Sequence, residues 1–195
     1  MELAIKVIEI FALVTGLAYL VLEIQQRNLM WVLGILTGVA CSFSFAVQHL
    51  YASMGLNIYY VAVSFWGLYQ WKMDAGKLSD DSGSSIHLNK LDARTMVISA
   101  VLFVVGSVAL IALLKAIGGS ETQIDAVTTI LSAIGTWWLA KSYPEQWLVW
   151  IVADVMSTVL CLTAGMYWMT ALYLAYTAGA VYGYVHWRRN GQIVG

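Results

Sequence analysis

Three residues within one apolar stretch have the types and the spacing to hold an organic cation. Trp147, Trp150 and Asp154 stand at positions i, i+3 and i+7, so on a helix they share one face. Indole rings attract a cation through their faces, and a carboxylate adds Coulombic attraction. The three side chains therefore form a strip of two rings that leads to one acid.

Asp154 is unusual because its surroundings in the sequence are apolar. If its helix begins near Glu145, it lies nine residues in, about 14 Å at 1.5 Å per residue and close to the centre of a bilayer. An acid there costs about 2.5–3.5 kcal/mol, so it should face the protein interior or a cavity. No buried Lys or Arg is expected as its partner. A structural carboxylate, protonated or hydrogen-bonded to Ser and Thr neighbours, is the alternative.

The stretch LNIYYVAVSFWGLYQWKM supplies further candidates. Asn57 and Ser64 can orient the polar edges of a substrate. Tyr60 and Trp66 offer stacking surfaces and hydrogen-bond donors. The predicted substrate-binding residues are therefore Trp147, Trp150, Asp154, Asn57, Tyr60, Ser64 and Trp66.

The amino-acid composition indicates whether these residues belong to a water-soluble protein or to a membrane protein. Of 195 residues, 61% are hydrophobic and 11% are charged, whereas soluble domains carry about 25% charged residues. Apolar blocks near the length that crosses a bilayer predict seven helices, at about 3–24, 29–50, 54–72, 94–117, 121–141, 145–164 and 166–187. Ten Lys and Arg nearly balance eleven Asp and Glu, which excludes nucleic acid as a partner. We expect an all-α integral membrane protein.

An internal repeat relates the first three helices to the last three. An ungapped shift of 116 residues superposes, among others, Trp31 on Trp147, Tyr60 on Tyr176, Gly67 on Gly183 and Trp71 on Trp187. Because four helices separate the two copies, they point the same way, with helix four as a linker. Such 3+1+3 repeats usually hold a substrate between them.

The same shift places Gly34 opposite Trp150 and Gly38 opposite Asp154. The first repeat thus has no side chain where the second has a ring and a carboxylate, which would leave a cavity. A GxxxG pattern that lets two helices approach closely is the alternative, and both can hold.

The predicted organisation follows the repeat. It comprises a first three-helix repeat at 1–72, a flexible cytoplasmic loop at 73–93, a linker helix at 94–117, a second three-helix repeat at 121–187 and a cytoplasmic tail at 188–195. Eight Lys and Arg residues fall on one side and two on the other, so the richer side is predicted to be cytoplasmic, with the amino terminus outside.

Other notable residues are assigned ordinary roles. Cys41 and Cys161 lie in apolar runs and are interpreted as small packing residues, and no metal or cofactor site is expected. Glu9 and Asp125 are either gate charges or solvated helix-start carboxylates. Gln48 and His49 are expected as a solvated cap. Aromatic residues at the cytoplasmic helix ends are predicted as interfacial belt residues: Trp71, Trp187, Tyr182 and Tyr184.

The strip of Trp147, Trp150 and Asp154 resembles the signature Trp-x-x-Trp-x-x-x-Asn/Asp of the PnuC family of bacterial vitamin transporters, and the resemblance covers nearly the whole chain. It implies a fold related to the SWEET sugar transporters and a location in the bacterial inner membrane. It also implies facilitated diffusion of an unphosphorylated vitamin, which a cytoplasmic kinase then traps by phosphorylation.

The substrate predicted from this resemblance is thiamine. Nicotinamide riboside members tend to carry Asn where this chain has Asp154 and Ser64, and thiamine has a fixed thiazolium charge and an aminopyrimidine that can donate to a carboxylate. Nicotinamide riboside, also a cation, is the alternative, and neutral riboflavin comes third.

Other function classes have less support. A membrane enzyme needs a nucleophile, base or metal cluster at a defined depth, and the three histidines are scattered. A retinal protein needs a lysine in the last helix, which has none in its apolar span. A structural membrane subunit stays open, and substrate uptake would separate it from a transporter.

Overall fold

The computed structural model describes residues 14–47, 51–78, 85–116, 123–163 and 165–195. Within these ranges the chain forms seven helices: α1 (Val14–Ile24), α2 (Leu29–Val47), α3 (Tyr51–Ala75), α4 (Ala93–Ala116), α5 (Gln123–Ala140), α6 (Gln146–Thr163) and α7 (Tyr167–Asn190). Where both are described, the predicted spans agree with these bounds to within about three residues. The prediction of seven helices is confirmed.

The surface of the bundle is apolar where it would meet lipid. By length and composition, α4 and α6 each suffice to cross a membrane, and α1, α2 and α5 contain shorter apolar stretches. Large side chains of α4 are more than half exposed, among them Met96, Val97, Val101 and Val108. Water would oppose so large an apolar surface, whereas a hydrocarbon layer stabilises it.

The turn between α1 and α2 has the same hydrogen bonds as the turn between α5 and α6. Gln26 and Ser142, which are 116 positions apart, have φ values of 52° and 55°. The amide of each donates to the carbonyl three residues earlier, at 3.0 and 2.9 Å. In both turns the following amide donates to the carbonyl five residues earlier, at 2.8 and 3.1 Å. Two separate stretches of chain therefore build one turn geometry.

A tryptophan packs on a glycine at two equivalent places. A methyl group added at Gly67 would lie 2.6 Å from the Trp31 ring, and one at Gly183 would lie 2.7 Å from the Trp147 ring. Each glycine allows its helix to approach the neighbouring one, so that α2 packs against α3 and α6 against α7. The lack of a side chain at Gly67 and Gly183 thus makes room for the tryptophan rings.

These two tryptophans belong to a buried group that we call the tryptophan cluster: Trp31, Trp71, Trp147 and Trp187. The Trp71 and Trp187 rings are 6.2 Å apart and meet edge to face. Each also reaches the opposite half of the chain, since Trp71 Nε1 donates to the Leu139 carbonyl at 3.0 Å and Trp187 Nε1 to the Ile24 carbonyl at 2.9 Å. The cluster lies where α2 and α6 begin and where α3 and α7 end.

The belt prediction is wrong for Trp71 and Trp187, which are 0% exposed. Their positions at helix ends suggested the membrane interface, but their indole N–H groups find carbonyl partners inside the protein. Tyr182 is exposed and Tyr184 half-buried, and for these two the belt assignment stays a prediction.

Two short strands tie the loop after α3 to the carboxyl-terminal tail. The strands β1 (His87–Leu88) and β2 (Gln192–Ile193) pair in parallel. The Gln192 amide donates to the Ile86 carbonyl at 2.9 Å, and the Val194 amide donates to the Leu88 carbonyl at 2.8 Å. The prediction of a flexible loop across 73–93 is therefore wrong for its second part, because residues far away in the sequence supply the pairing.

His87 connects this strand pair to both turns. The Gln26 side chain accepts from the His87 amide at 2.8 Å and donates to its carbonyl at 3.0 Å. On the other side, Ser142 Oγ lies 3.0 Å from His87 Nδ1. His87 is buried and sits edge-on to Trp71 at 5.8 Å. One residue thus links the two equivalent turns and the tryptophan cluster.

Candidate functional site

A cavity of about 560 Å³ lies between the two halves of the bundle. Its wall comes from α1, α2, α3, α5, α6 and α7, and α4 supplies none of the described lining residues. The volume falls within the range of pockets that hold small organic molecules, about 300–1,000 Å³. The helices therefore enclose a site for one small ligand.

The structure brings most of the predicted site residues to this cavity. Its lining includes Trp147, Trp150, Asp154, Asn57, Tyr60, Ser64, Gly34 and Gly38. Trp66 is the exception, because it is absent from the described lining and packs against the hydrophobic core instead. It is two positions beyond Ser64, about 200° around the helix, so it belongs to another face.

Asp154 is buried, and its carboxylate has no partner in the part of the chain that the structure describes. It is 6% exposed and lines the cavity. Among the described residues, none hydrogen-bonds or ion-pairs with its carboxylate. Buried charges are normally paired. The expectation that it faces a cavity is confirmed, and the alternative of hydrogen bonds to Ser and Thr neighbours finds no support in the described residues.

The two tryptophans of the strip differ in their surroundings. Trp150 is half-buried, and its ring packs against α5, where a methyl group added at Gly135 would lie 3.2 Å from it. Trp147 is 1% exposed and meets the Trp187 ring edge to face at 5.4 Å. Both indole N–H groups lack a partner among the described residues. Trp150 thus offers ring surface to a ligand, whereas Trp147 lines the cavity but is almost completely buried by the protein.

Gly34 and Gly38 both line the cavity and allow α2 to approach α3 closely. A methyl group at Gly34 would lie 2.9 Å from Ser64 Oγ, and one at Gly38 would lie 2.6 Å from Val61 Cγ2. These contacts show a close approach of α2 to α3. Because both glycines also line the cavity, they open space while drawing the two helices together.

Glu23 is a cavity residue that sequence reasoning missed. It is 6% exposed, lies near the end of α1 and lines the cavity. Gln146 Nε2 donates to Glu23 Oε1 at 3.4 Å, and Gln146 is itself fully buried. An acid next to a predicted polar turn is usually solvated. The available signal was an acid inside the apolar block 3–24, the same signal that drew attention to Asp154.

A polar stripe on α5 was missed as well. Thr128, Ser132 and Thr136 recur every four residues and all line the cavity, so they share one face of the helix. Thr136 satisfies its own hydroxyl by donating to the Ser132 carbonyl at 2.8 Å. The i, i+4 spacing of small polar residues in an apolar helix was the available signal.

The structure does not describe the side chains of four residues with predicted roles. Glu9, Gln48 and His49 fall outside the described residues, and the Asp125 side chain does too. Their predicted roles as gate charges or caps stay predictions.

The charge of the described lining is one-sided. It contains the carboxylates of Asp154 and Glu23, and it includes no Lys, Arg or His. The remaining polar groups are hydroxyls, phenols, one amide, two indole N–H groups and one thiol. Such a site attracts a cation with aromatic surface and hydrogen-bond donors, and it repels a phosphate.

Known proteins resemble this chain along most of its length. The nicotinamide mononucleotide transporter family matches residues 6–189. The nicotinamide riboside transporter PnuC of Haemophilus influenzae is 30% identical over 155 residues, which cover 74% of this chain and 66% of that protein. The riboflavin/roseoflavin transporter RibM of Streptomyces davaonensis is 25% identical, with coverage of 89% and 81%.

The fold has a solved counterpart. A crystal structure of the vitamin B3 transporter PnuC superposes with a TM-score of 0.70 at 24% identity, covering 91% of this chain and 79% of that one. The family match and the exposed apolar surface of α4 identify a membrane protein. With its family match across residues 6–189, the chain belongs to the nicotinamide mononucleotide transporter family, whose members are transporters and not enzymes.

Proposed function

We propose that this protein carries a small cationic vitamin across the membrane. The observation that carries the proposal is the Asp154 carboxylate, which has no partner among the described residues and lines a cavity of about 560 Å³ together with Trp150. A positively charged aromatic ring would supply the missing partner and stack on the indole. Substrate-binding roles are proposed for Trp147, Trp150, Asp154, Asn57, Tyr60 and Ser64.

Nicotinamide riboside is the first candidate. Relatives that carry this name align over most of the chain, and its pyridinium charge suits the cavity. Thiamine, favoured from the sequence alone, becomes the second candidate, which the carboxylate at position 154 supports. The relative RibM keeps riboflavin as a third, but a neutral ring would leave the charge of Asp154 unbalanced.

The transport cycle would use the internal repeat. We assign the first repeat to 1–72, the linker helix to 94–117 and the second repeat to 121–187. The matching turns at Gln26 and Ser142 and the matching Trp–Gly packing support two parallel copies of one unit. Rocking of one copy against the other would expose the cavity to each side in turn, without ion coupling.

The proposed orientation places the loop at 73–93 and the tail at 188–195 in the cytoplasm of a bacterial cell. The excess of Lys and Arg on that side supports it. Cargo entering from outside would then be retained by a cytoplasmic kinase that phosphorylates it, because the acidic cavity disfavours a phosphate.

Binding and uptake by the purified protein test the function directly. Calorimetric titration with nicotinamide riboside, thiamine and riboflavin should show binding of at least one of the two cations and weaker binding of riboflavin. Proteoliposomes should then take up the bound cation down its gradient without an ion gradient.

A protein-free liposome is the control for leakage. Saturable uptake of riboflavin together with no binding of either cation would contradict the proposal. Cation binding with no uptake in either direction would leave a membrane-bound binding protein in place of a transporter.

A further inference from the structure

Glu23 is a second acid that faces the cargo cavity from the opposite half of the chain. It comes from α1, whereas Asp154 comes from α6. Both are 6% exposed and both line the cavity. Two carboxylates from different helices therefore share one enclosed space.

The protein compensates these two carboxylates only weakly. Gln146 Nε2 reaches Glu23 Oε1 at 3.4 Å, the long end of the hydrogen-bond range. Gln146 Oε1 has no partner among the described residues. A purely structural link between α1 and α6 would satisfy both groups, as the Gln26 side chain does with the two backbone groups of His87. The contact between Gln146 and Glu23, by contrast, is long and leaves Gln146 Oε1 without a partner among the described residues.

The described lining contains no cationic side chain that could sit between the two acids. Like charges in a poorly solvated space repel, and removing one partner of a buried charge is costly. A cargo cation located between Glu23 and Asp154 would turn this repulsion into two attractions. A bound cation would therefore balance the negative charge of the two acids.

We propose that Glu23 is a second cargo contact, which acts with Asp154 to select cations over neutral molecules of the same shape. Gln146 positions the Glu23 carboxylate. Glu23 has this role only if the protein binds a cationic cargo, so the inference rests on the proposed function.

The test compares two ligands that differ in charge but hardly in size. Nicotinamide riboside is a cation, and its 1,4-dihydro form is neutral. Calorimetric titration of the purified full-length protein should show that Glu23→Gln weakens binding of the cation about tenfold or more and that of the neutral form less than about threefold. Thiamine serves as a second cationic probe.

Glu145→Gln is the matched control. Glu145 is an acid next to Gln146 in sequence, lies outside the described cavity lining and approaches Arg188 at 3.8 Å. This variant removes the same charge from the same region, so its effect on both ligands should stay within about twofold.

The outcomes separate the inference from the proposed function. If Glu23→Gln leaves cation binding within twofold while Asp154→Asn weakens it, Glu23 is no cargo contact and the proposed function stands. If the unmodified protein binds neither cation, both are overturned. An equal loss for the charged and the neutral ligand would assign Glu23 a structural role and overturn the inference.

A measurement on the unmodified protein covers the case in which Glu23→Gln does not fold. Dicyclohexylcarbodiimide modifies buried carboxyl groups, and mass spectrometry of peptides locates the adducts. Nicotinamide riboside or thiamine should protect Glu23 and Asp154 together, while Glu145 labelling stays unchanged. Protection of Asp154 without protection of Glu23 would overturn the inference.

Discussion

At the level of single residues, the site depends on buried polar groups that find no partner within the described parts of the chain. Asp154 lacks a counter-charge, and the indole N–H groups of Trp147 and Trp150 lack acceptors among the described residues. Each unmet group costs free energy in the protein without cargo. A ligand that satisfies them regains that cost on binding, so the residues that destabilise the cavity also define its cargo.

Asp154→Asn should weaken cation binding about tenfold to a hundredfold, because it keeps the shape of the side chain and removes the charge. This range corresponds to about 1.4–2.8 kcal/mol. Calorimetric titration with nicotinamide riboside and thiamine measures it. Asp92→Asn is the control, since Asp92 accepts from the Thr95 amide before α4, outside the cavity. Unchanged affinity in the Asp154 variant would contradict the assigned role.

Sequence reasoning at this scale succeeded where spacing and chemistry agreed. The strip of Trp147, Trp150 and Asp154 was visible because three informative side chains share one helix face. Glu23 was not, because a carboxylate at the end of an apolar block is usually solvated. Only packing against a distant helix, through Gln146, showed that this acid is buried.

At the element scale, glycine decides how closely the helices approach. Trp31 lies on Gly67 and Trp147 lies on Gly183, and in each pair the ring occupies the space of a side chain. Helix number and helix bounds followed from apolar length, since a backbone in lipid must satisfy its own hydrogen bonds. The sequence indicated less clearly which helix faces pack together, because α3 and α7 are apolar or aromatic on several sides.

Gly67→Ala should destabilise the protein by about 1–3 kcal/mol, because the new methyl group overlaps the Trp31 ring and the helices must separate. Gly55→Ala is the matched control in the same helix. No heavy atom lies within 4 Å of its methyl position among the described residues, and alanine is the better helix former, so it should be neutral or slightly stabilising. Unfolding in mixed micelles measures both. Equal stability of the two variants would show that the ring adapts easily.

At the whole-molecule scale, the strand pair and His87 hold the two halves together at one end. The sequence contained no readable sign of this arrangement. The 73–93 segment lacks periodicity, and two-residue strands leave no pattern, so only long-range pairing defines them. A histidine in a polar loop is ordinarily solvated, whereas His87 is buried between Gln26, Ser142 and Trp71.

Stability should therefore depend on pH through His87. Burial lowers the pKa of its imidazole from 6.5 to about 4, opposed by Asp74 and reinforced by Lys77. The unfolded chain binds the proton first, so stability is full above about pH 6.5 and is lost as the pH falls towards 4. At pH 4.5 the loss should reach about 2–3 kcal/mol relative to pH 7.

His87→Gln isolates this contribution, because it removes the titrating group and keeps a side chain that can hydrogen-bond. The free energy of unfolding between pH 7 and pH 4.5 should fall less in this variant than in the unmodified protein. His186→Gln, which alters a half-buried histidine of α7 outside the contacts of His87, should retain the full dependence. The same slope in all three proteins would exclude His87 as its source.

The position of Cys41 gives the protein a built-in reporter of sidedness. Its half-buried thiol lines the cavity, and the tryptophan cluster and strand pair lie towards the other end of the helices. A maleimide too polar to cross lipid should therefore alkylate Cys41 from one face of a sealed vesicle only, and bound cargo should slow that reaction. The side from which Cys41 is labelled would thus show which side of the membrane has access to the cavity, without any engineered label.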